Sequence, residues 1–170
     1  MSVLNRNVII GIDPGLKGGI AIIPVSSPQA SVAFPMPLEA DGKNIDYAAV
    51  AQILGKWKGP IYIEKVHAMP KQGVSSVFKF GMGFGGVLGV CGALGRRVVQ
   101  VTPQRWQTAL FGKKKDREEG VDTKALSVRY SQEKFPWVSL TPGRTRTPQD
   151  GLADALCIAS YGIQLEHLND

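Results

Sequence analysis

The sequence predicts an α/β sandwich, and three observations carry that reading. Five short apolar runs, at residues 7–13, 19–24, 31–36, 61–66 and 97–101, have the length and β-branched content of strands. The first two are joined by Asp-Pro-Gly, a turn sequence, so the sheet opens with a hairpin. Helical segments then alternate with and follow the strands, in the order ββ(β)αβαβααα.

Each element has a local reason. NVIIGID (7–13) is a buried strand stopped by Pro-Gly, and GIAIIP (19–24) is its hairpin partner. SVAFPM (31–36) carries Pro35, which places it at an edge or a strand end. Residues 46–58 repeat apolar side chains at helical spacing through Tyr47, Val50, Ile53, Leu54 and Trp57, until Gly59-Pro60. IYIEKV (61–66) is a strand with one interior acid, and RVVQV (97–101) is the last strand. Residues 74–94 read as a helix despite their glycines. Thr102-Pro103 and Thr147-Pro148 look like a cap followed by proline at the first helical position, opening helices at 103–111 and 148–166. Residues 112–121 read as an exposed loop, and 122–134 as a helix.

Of the 170 residues, 44% are hydrophobic and 20% charged, which suits one globular domain over residues 1–170. No apolar run is both long enough and free enough of glycine to suggest a membrane span, and residues 1–7 lack a signal-peptide core. The expectation is a soluble, intracellular (cytoplasmic) protein with no membrane partner. Cys91 and Cys157 sit in apolar helical patterns without metal-ligand spacing, so they read as buried small hydrophobes. The net charge of +6 suits a polyanionic partner. Its distribution is more telling: residues 96–129 hold nine Lys or Arg against four acids, and Arg144 and Arg146 follow with no acid between Lys134 and Asp150.

Four acids stand where apolar patterning predicts none. Asp13 ends the first strand, Glu64 lies inside IYIEKV, and Asp150 and Asp154 share one face of the last helix. Each has a plainer explanation: an Asx-turn at Asp13, an edge-strand surface acid at Glu64, a capping-box acid three residues after Thr147 at Asp150. Asp154 is the hardest to dismiss, because apolar neighbours flank it and an unpaired buried carboxylate is costly. Carboxylates gathered at one place hold together when cations lie between them, and hard oxygen donors select Mg²⁺ or Mn²⁺. Two such ions can activate water on one side of a phosphodiester and stabilise the leaving oxygen on the other. His67 and His167 form no evident zinc pair.

Taken together, GIDPGLKGGIAII, IYIEKV, VTPQRWQTALFG and DGLADALCIASYG resemble the RuvC-like Holliday-junction resolvases, especially bacteriophage members, over residues 7–163. The last motif is the most specific. The resemblance implies a ribonuclease-H-like fold: a mixed five-stranded central sheet flanked by helices on both faces. It also implies a homodimer and two Mg²⁺ per active site, with Mn²⁺ as a substitute and no small-molecule cofactor. The implied reaction is resolution of four-way DNA junctions by paired nicks, leaving 5′-phosphate and 3′-hydroxyl ends. Carried over by position, Asp13, Glu64, Asp150 and Asp154 are catalytic metal ligands, and Lys124 is a catalytic lysine near the scissile phosphate. Asp150 stands four residues before Asp154 where bacterial members use three, a spacing closer to the mitochondrial resolvases. A lysine of bacterial members is replaced by Gln107, so its role passes to Arg105 or lapses.

The charge distribution suggests the DNA contacts. The basic loop 113–117, with Lys113, Lys114 and Lys115, is expected to clamp phosphates together with Lys124, Arg144 and Arg146, and Arg105 is a further DNA contact. Such contacts position DNA without reading its sequence, and a solvated charge run is the alternative. The resemblance adds contacts at the junction centre. His67, Met69, Lys71 and Gln72 fall where the family inserts side chains into the junction centre, and Phe78 is a further candidate for base stacking. Gly81, Gly85 and Gly89 recur every four residues in the helix that builds the family's dimer interface, with Phe80, Phe84 and Leu88 expected beside them. Interior glycine costs a helix roughly 1 kcal/mol per site relative to alanine, so a compensating close contact is expected. Intramolecular packing against the sheet is the alternative. Competing functions are a related nuclease for forks, flaps or RNA, an actin-like ATP-binding domain, and a non-catalytic junction binder. The ATP-binding domain would need a second phosphate loop and a longer chain. The non-catalytic binder would lack an acid, yet all four are present.

Overall fold

The computed structural model describes residues 7–65, 73–117 and 120–167. Five strands form one mixed sheet in the order β3-β2-β1-β4-β5: β1 Val8–Asp13, β2 Gly19–Pro24, β3 Val32–Pro35, β4 Ile61–Glu64 and β5 Val98–Val101. The hairpin start makes β1, β2 and β3 antiparallel, while β4 and β5 join in parallel after helical crossovers. Five helices follow the expected order: α1 Tyr47–Gly55, α2 Val74–Ala93, α3 Pro103–Phe111, α4 Thr123–Lys134 and α5 Asp150–His167.

Both sheet faces are buried, and strand alternation sorts the residues between them. Ile10, Ile12, Ile20, Ile22, Ile61 and Ile63 face the layer that includes Val50, Leu54, Val87 and Cys91 of α1 and α2. Ile9, Ala21, Ile23 and Tyr62 face the other layer, with Trp106 and the apolar face of α5. This is the expected α/β arrangement with helices on both faces. Both cysteines are free and buried.

Glycine lets α5 lie unusually close to the sheet. A Cβ on Gly11 would stand 2.1 Å from the Ala155 carbonyl oxygen, and one on Gly151 would stand 2.0 Å from that of Lys17. No side chain fits in those gaps, so backbone packs on backbone.

Several boundaries differ from expectation. α5 opens at Asp150, so Thr147 is not its cap and Pro148 is not its first residue. Thr102 does hold the N-cap position of α3, but its hydroxyl makes no capping bond. α1 ends at Gly55, before Trp57. Among its described residues, the exposed loop contains a 3₁₀ turn at Lys114–Asp116. By length and composition the 20-residue α2 could cross a membrane, contrary to the expectation from its glycines. Its inner face packs on the protein through Val87 and Cys91.

Candidate active site

The sheet register brings the first two acids together. β1 and β4 are adjacent and parallel with Ile12 opposite Ile63, so the next residues, Asp13 and Glu64, end neighbouring strands at the same level. Ile12 and Ile63 face α1 and α2. Alternation therefore turns Asp13 and Glu64 to the opposite face, where α5 lies. The carboxyl ends of parallel strands are where open α/β sheets place their ligands.

α5 delivers the other two. Gly151 rests against Lys17 and Gly18, and a Cβ on Gly18 would itself strike the Asp13 backbone. The first turn of α5 is thereby pressed against the turn that follows Asp13. Asp150 and Asp154 are one helical turn apart on this approach.

The electrostatics link the acids pairwise, Glu64 with Asp13 and Asp154, and Asp150 with the same two. Burial pushes the Glu64 carboxyl up to about 7, and the charges of Asp13 and Asp154 add to the rise. Burial does the same to Asp154, also to about 7, with Asp13 and Asp150 contributing and a hydrogen bond from Ser127 opposing. Asp13 is raised by burial too, against the Gly15 N–H, which donates to its Oδ1 at 3.2 Å. Asp150 goes the other way, because the Lys124 ammonium pairs with it and holds its carboxyl low.

Two supporting contacts escape a sequence reading. The indole N–H of fully buried Trp106 donates to Glu64 Oε2 at 2.8 Å. Ser127, buried on α4, donates its hydroxyl to the Thr123 carbonyl oxygen at 3.2 Å and lies near enough to Asp154 to oppose the rise of its carboxyl. A buried tryptophan needs an acceptor for its N–H, and that need was the one signal VTPQRWQTALFG offered. Trp106→Phe removes the donor while keeping most of the packing. Its expected result is a Glu64 carboxyl raised still further, since a hydrogen bond to a charged group contributes about 1.5–3 kcal/mol. A titration of Glu64 followed by NMR in the folded variant and in wild type checks it; an unchanged titration would make Trp106 a packing residue only.

The donor set fits hard divalent cations: Asp13, Glu64 and Asp154 are largely buried carboxylates, raised in part by neighbouring acids and without a salt bridge among the described residues, while Asp150 is paired with Lys124. Among the described residues, no three His, Cys, Asp or Glu side chains already stand grouped to hold one ion. Asp150 is drawn toward Lys124 instead.

Solved structures with this architecture are known. Over 95% of this chain and 97% of the other, it is similar to T. thermophilus RuvC in complex with a Holliday junction substrate, at 19% identity and a TM-score of 0.63. This is the RuvC fold. A second structure of Thermus thermophilus RuvC agrees at 22% identity and a TM-score of 0.58, over 94% and 96% of the two chains. No family model and no curated protein matches the sequence.

On this RuvC fold the remaining expected residues fall into separate places. Lys113, Lys114 and Lys115 line a cleft of about 540 Å³ with Gln107, Thr108 and Thr123, beside Lys124. Arg117, in the same run, is a strut: its guanidinium donates to the carbonyls of Gln107 and Gly112 and lies over the Phe111 ring. Arg105, Arg144 and Arg146 are exposed. Thr145 and Thr147, from the segment carrying both of those loop arginines, line a groove that reaches Asp150. His67, Met69, Lys71 and Gln72 lie outside the described residues. Phe78 is 66% exposed and so is not core.

The glycines of α2 divide by face. Gly81, Gly85 and Gly89 have nothing within 4 Å of an added Cβ, which removes the alternative that this stripe packs on the sheet. Gly83 and Gly86 make the inward contacts, against Ile45 and Tyr47. Phe84 and Leu88 pack partly on the core. Phe80, expected beside the stripe like Phe84 and Leu88, lines a cleft with Tyr47. At about 100° per residue all three stand the same step round the helix from Gly81, Gly85 and Gly89.

Proposed function

We propose that this chain is a divalent-metal-dependent, structure-selective endonuclease that resolves four-way DNA junctions by paired symmetric nicks. The observation that supports the reading is the electrostatic coupling of the buried carboxylates Asp13, Glu64 and Asp154, with Asp150 coupled to Asp13 and Asp154, near a lysine-lined cleft. The similarity to RuvC bound to a Holliday junction supports the choice of substrate.

Asp13, Glu64, Asp150 and Asp154 would hold the cations, two Mg²⁺ with Mn²⁺ as substitute. Divalent ions bound there supply an activated water and charge neutralisation at the leaving oxygen. The chain's own residues do the rest. Trp106 orients Glu64, Ser127 steadies Asp154, and Lys124 sits at the rim, where it can meet a phosphate. Lys113, Lys114, Lys115, Arg105, Arg144 and Arg146 hold the strand on either side. Replacing Lys113, Lys114 and Lys115 by alanine is expected to flatten the salt dependence of junction binding by roughly 0.9 per lost phosphate contact in log–log slope. An unchanged slope in a fluorescence-anisotropy titration would remove the loop from the DNA path.

The working unit is a homodimer joined along Gly81, Gly85 and Gly89, with Phe84 and Leu88 at its margin. A two-fold axis lets two sites address symmetric strands of a junction. Gly85→Arg, placed in open space, leaves the protomer fold intact but fills the close approach. Light scattering at micromolar concentration should show dimer for the wild type and monomer for the variant, which should make single uncoupled nicks. A monomeric wild type would refute the interface. An intracellular, phage-type enzyme is the setting we infer.

The deciding experiment offers labelled four-way junctions, Y-forks and linear duplex to the protein in Mg²⁺ or EDTA, beside Asp154→Asn. Preference for the fork over the junction would redirect the substrate to branched replication intermediates.

A further inference from the structure

A second concavity lies next to the acidic cluster, and the cleavage chemistry does not use it. It encloses about 390 Å³ between the β1–β2 turn, the segment entering α1 and the first half of α2. Pro14, Leu16, Ile45, Tyr47, Phe80 and Met82 give it apolar walls. Leu16, Phe80 and Met82 are 43%, 40% and 54% exposed, an unusual grouping of bare apolar side chains. Lys17, Lys43 and Lys79 also line it, and among its described lining residues none is acidic.

The cleft is preformed. The Tyr47 hydroxyl donates to the Met82 carbonyl oxygen at 3.1 Å, and the Tyr47 ring fills the space where a Cβ on Gly86 would be, 2.3 Å away. Its position is also specific. Pro14 directly follows Asp13, and Leu16 and Lys17 separate the cleft from the groove that runs to Gln149 and Asp150. Gly81, Gly85 and Gly89, with open space beside them, lie on another face of α2 from Lys79 and Gly83 of the cleft.

We infer that this cleft receives one unstacked nucleotide of the strand being cut, its base against Tyr47 and Phe80 and its phosphates among Lys17, Lys43 and Lys79. The inference rests on the nuclease reading and adds to it a source of substrate selectivity. Three ammonium groups without an acid select an anion, and an aromatic wall accepts the face of any base. The volume lies within the range of sites for small organic ligands. A base in continuous duplex cannot enter a concave site, because it must leave its stack first. Branch points give up a base at least cost, so the cleft favours branched over linear DNA.

The test uses four-way junctions carrying 2-aminopurine at one of the three nucleotides on either side of the nick, in Ca²⁺ at saturating protein. Wild type, Phe80→Ala and the double variant Lys43→Ala/Lys79→Ala are compared. All are first checked for native melting and for dimer by light scattering. Wild type should raise fluorescence severalfold at one position, as that base leaves its neighbours. Both variants should lose at least half of the rise. A rise that persists unchanged in both variants would overturn the pocket. So would a junction that is bound, and cut in Mg²⁺, with no responding position; the nuclease reading would then stand alone. A wild type that neither binds nor cuts the junction would end both.

Discussion

Asp154→Asn is expected to abolish junction cleavage while making the metal-free protein more stable at alkaline pH. The loss of rate should be at least about 10³-fold, or about 4 kcal/mol of transition-state stabilisation, because an amide replaces one of the anionic donors that hold a cation against the phosphodiester. The stability change follows from the carboxyls that burial raises. Asp154 and Glu64 sit at about 7 in the folded chain against ordinary values of 3.8 and 4.5. Between those limits the folded protein keeps protons that the unfolded chain has released. Their contribution to stability is therefore full below about pH 4 and declines as pH rises to about 7. Asp150, held low by Lys124, works oppositely: its contribution is present above its ordinary 3.8 and is lost as pH falls through its lower folded value. Thermal melts in EDTA from about pH 5 to pH 8 should thus slope downward for wild type and less steeply for Asp154→Asn. Added Mg²⁺ should raise the wild-type midpoint more at pH 8 than at pH 5. Identical slopes in the two proteins would mean that Asp154 is not the buried, crowded acid described above.

Gly151→Ala should be the most damaging methyl group that can be added near the site. Helix propensity favours alanine by about 1 kcal/mol. Against that, the new Cβ would lie 2.0 Å from the Lys17 carbonyl oxygen and 2.6 Å from Gly18 Cα, both backbone atoms that no rotamer change can move. The helix must retreat, at a net cost of about 3 kcal/mol, near the upper end for overpacked sites. For a domain of this size that is roughly 6–12 °C in midpoint. Cleavage should fall further than unfolding explains, since the retreat carries Asp150 and Asp154 away from Asp13. Measuring the rate well below the variant's midpoint separates the two effects. A variant with wild-type melting and wild-type rate would mean that the close seating of α5 is not what assembles the cluster.

Much of this was legible from the chain alone, for a local reason. A charged residue inside an apolar pattern is an anomaly visible without coordinates, and Glu64 in IYIEKV and Asp154 in GLADALCIA are two such anomalies. Strand alternation and the hairpin start likewise determined the sheet and its two buried faces. The loop lysines 113–115 could be found by composition, and they do line one cleft. Sequence alone misplaced the start of α5, because a Thr-Pro pair looks like a helix cap whether or not the next residues take helical dihedrals.

What only the tertiary structure decided is which groups meet across the gaps between elements. The Trp106–Glu64 bond, the Lys124–Asp150 pair and the Tyr47–Phe80 cleft each join segments distant in sequence. Periodicity says which face a residue presents, but not how near the facing element comes. Here that distance is set by missing side chains at Gly11, Gly18 and Gly151, and a missing side chain reads the same in sequence whether it borders backbone, as at Gly151, or open space, as at Gly85.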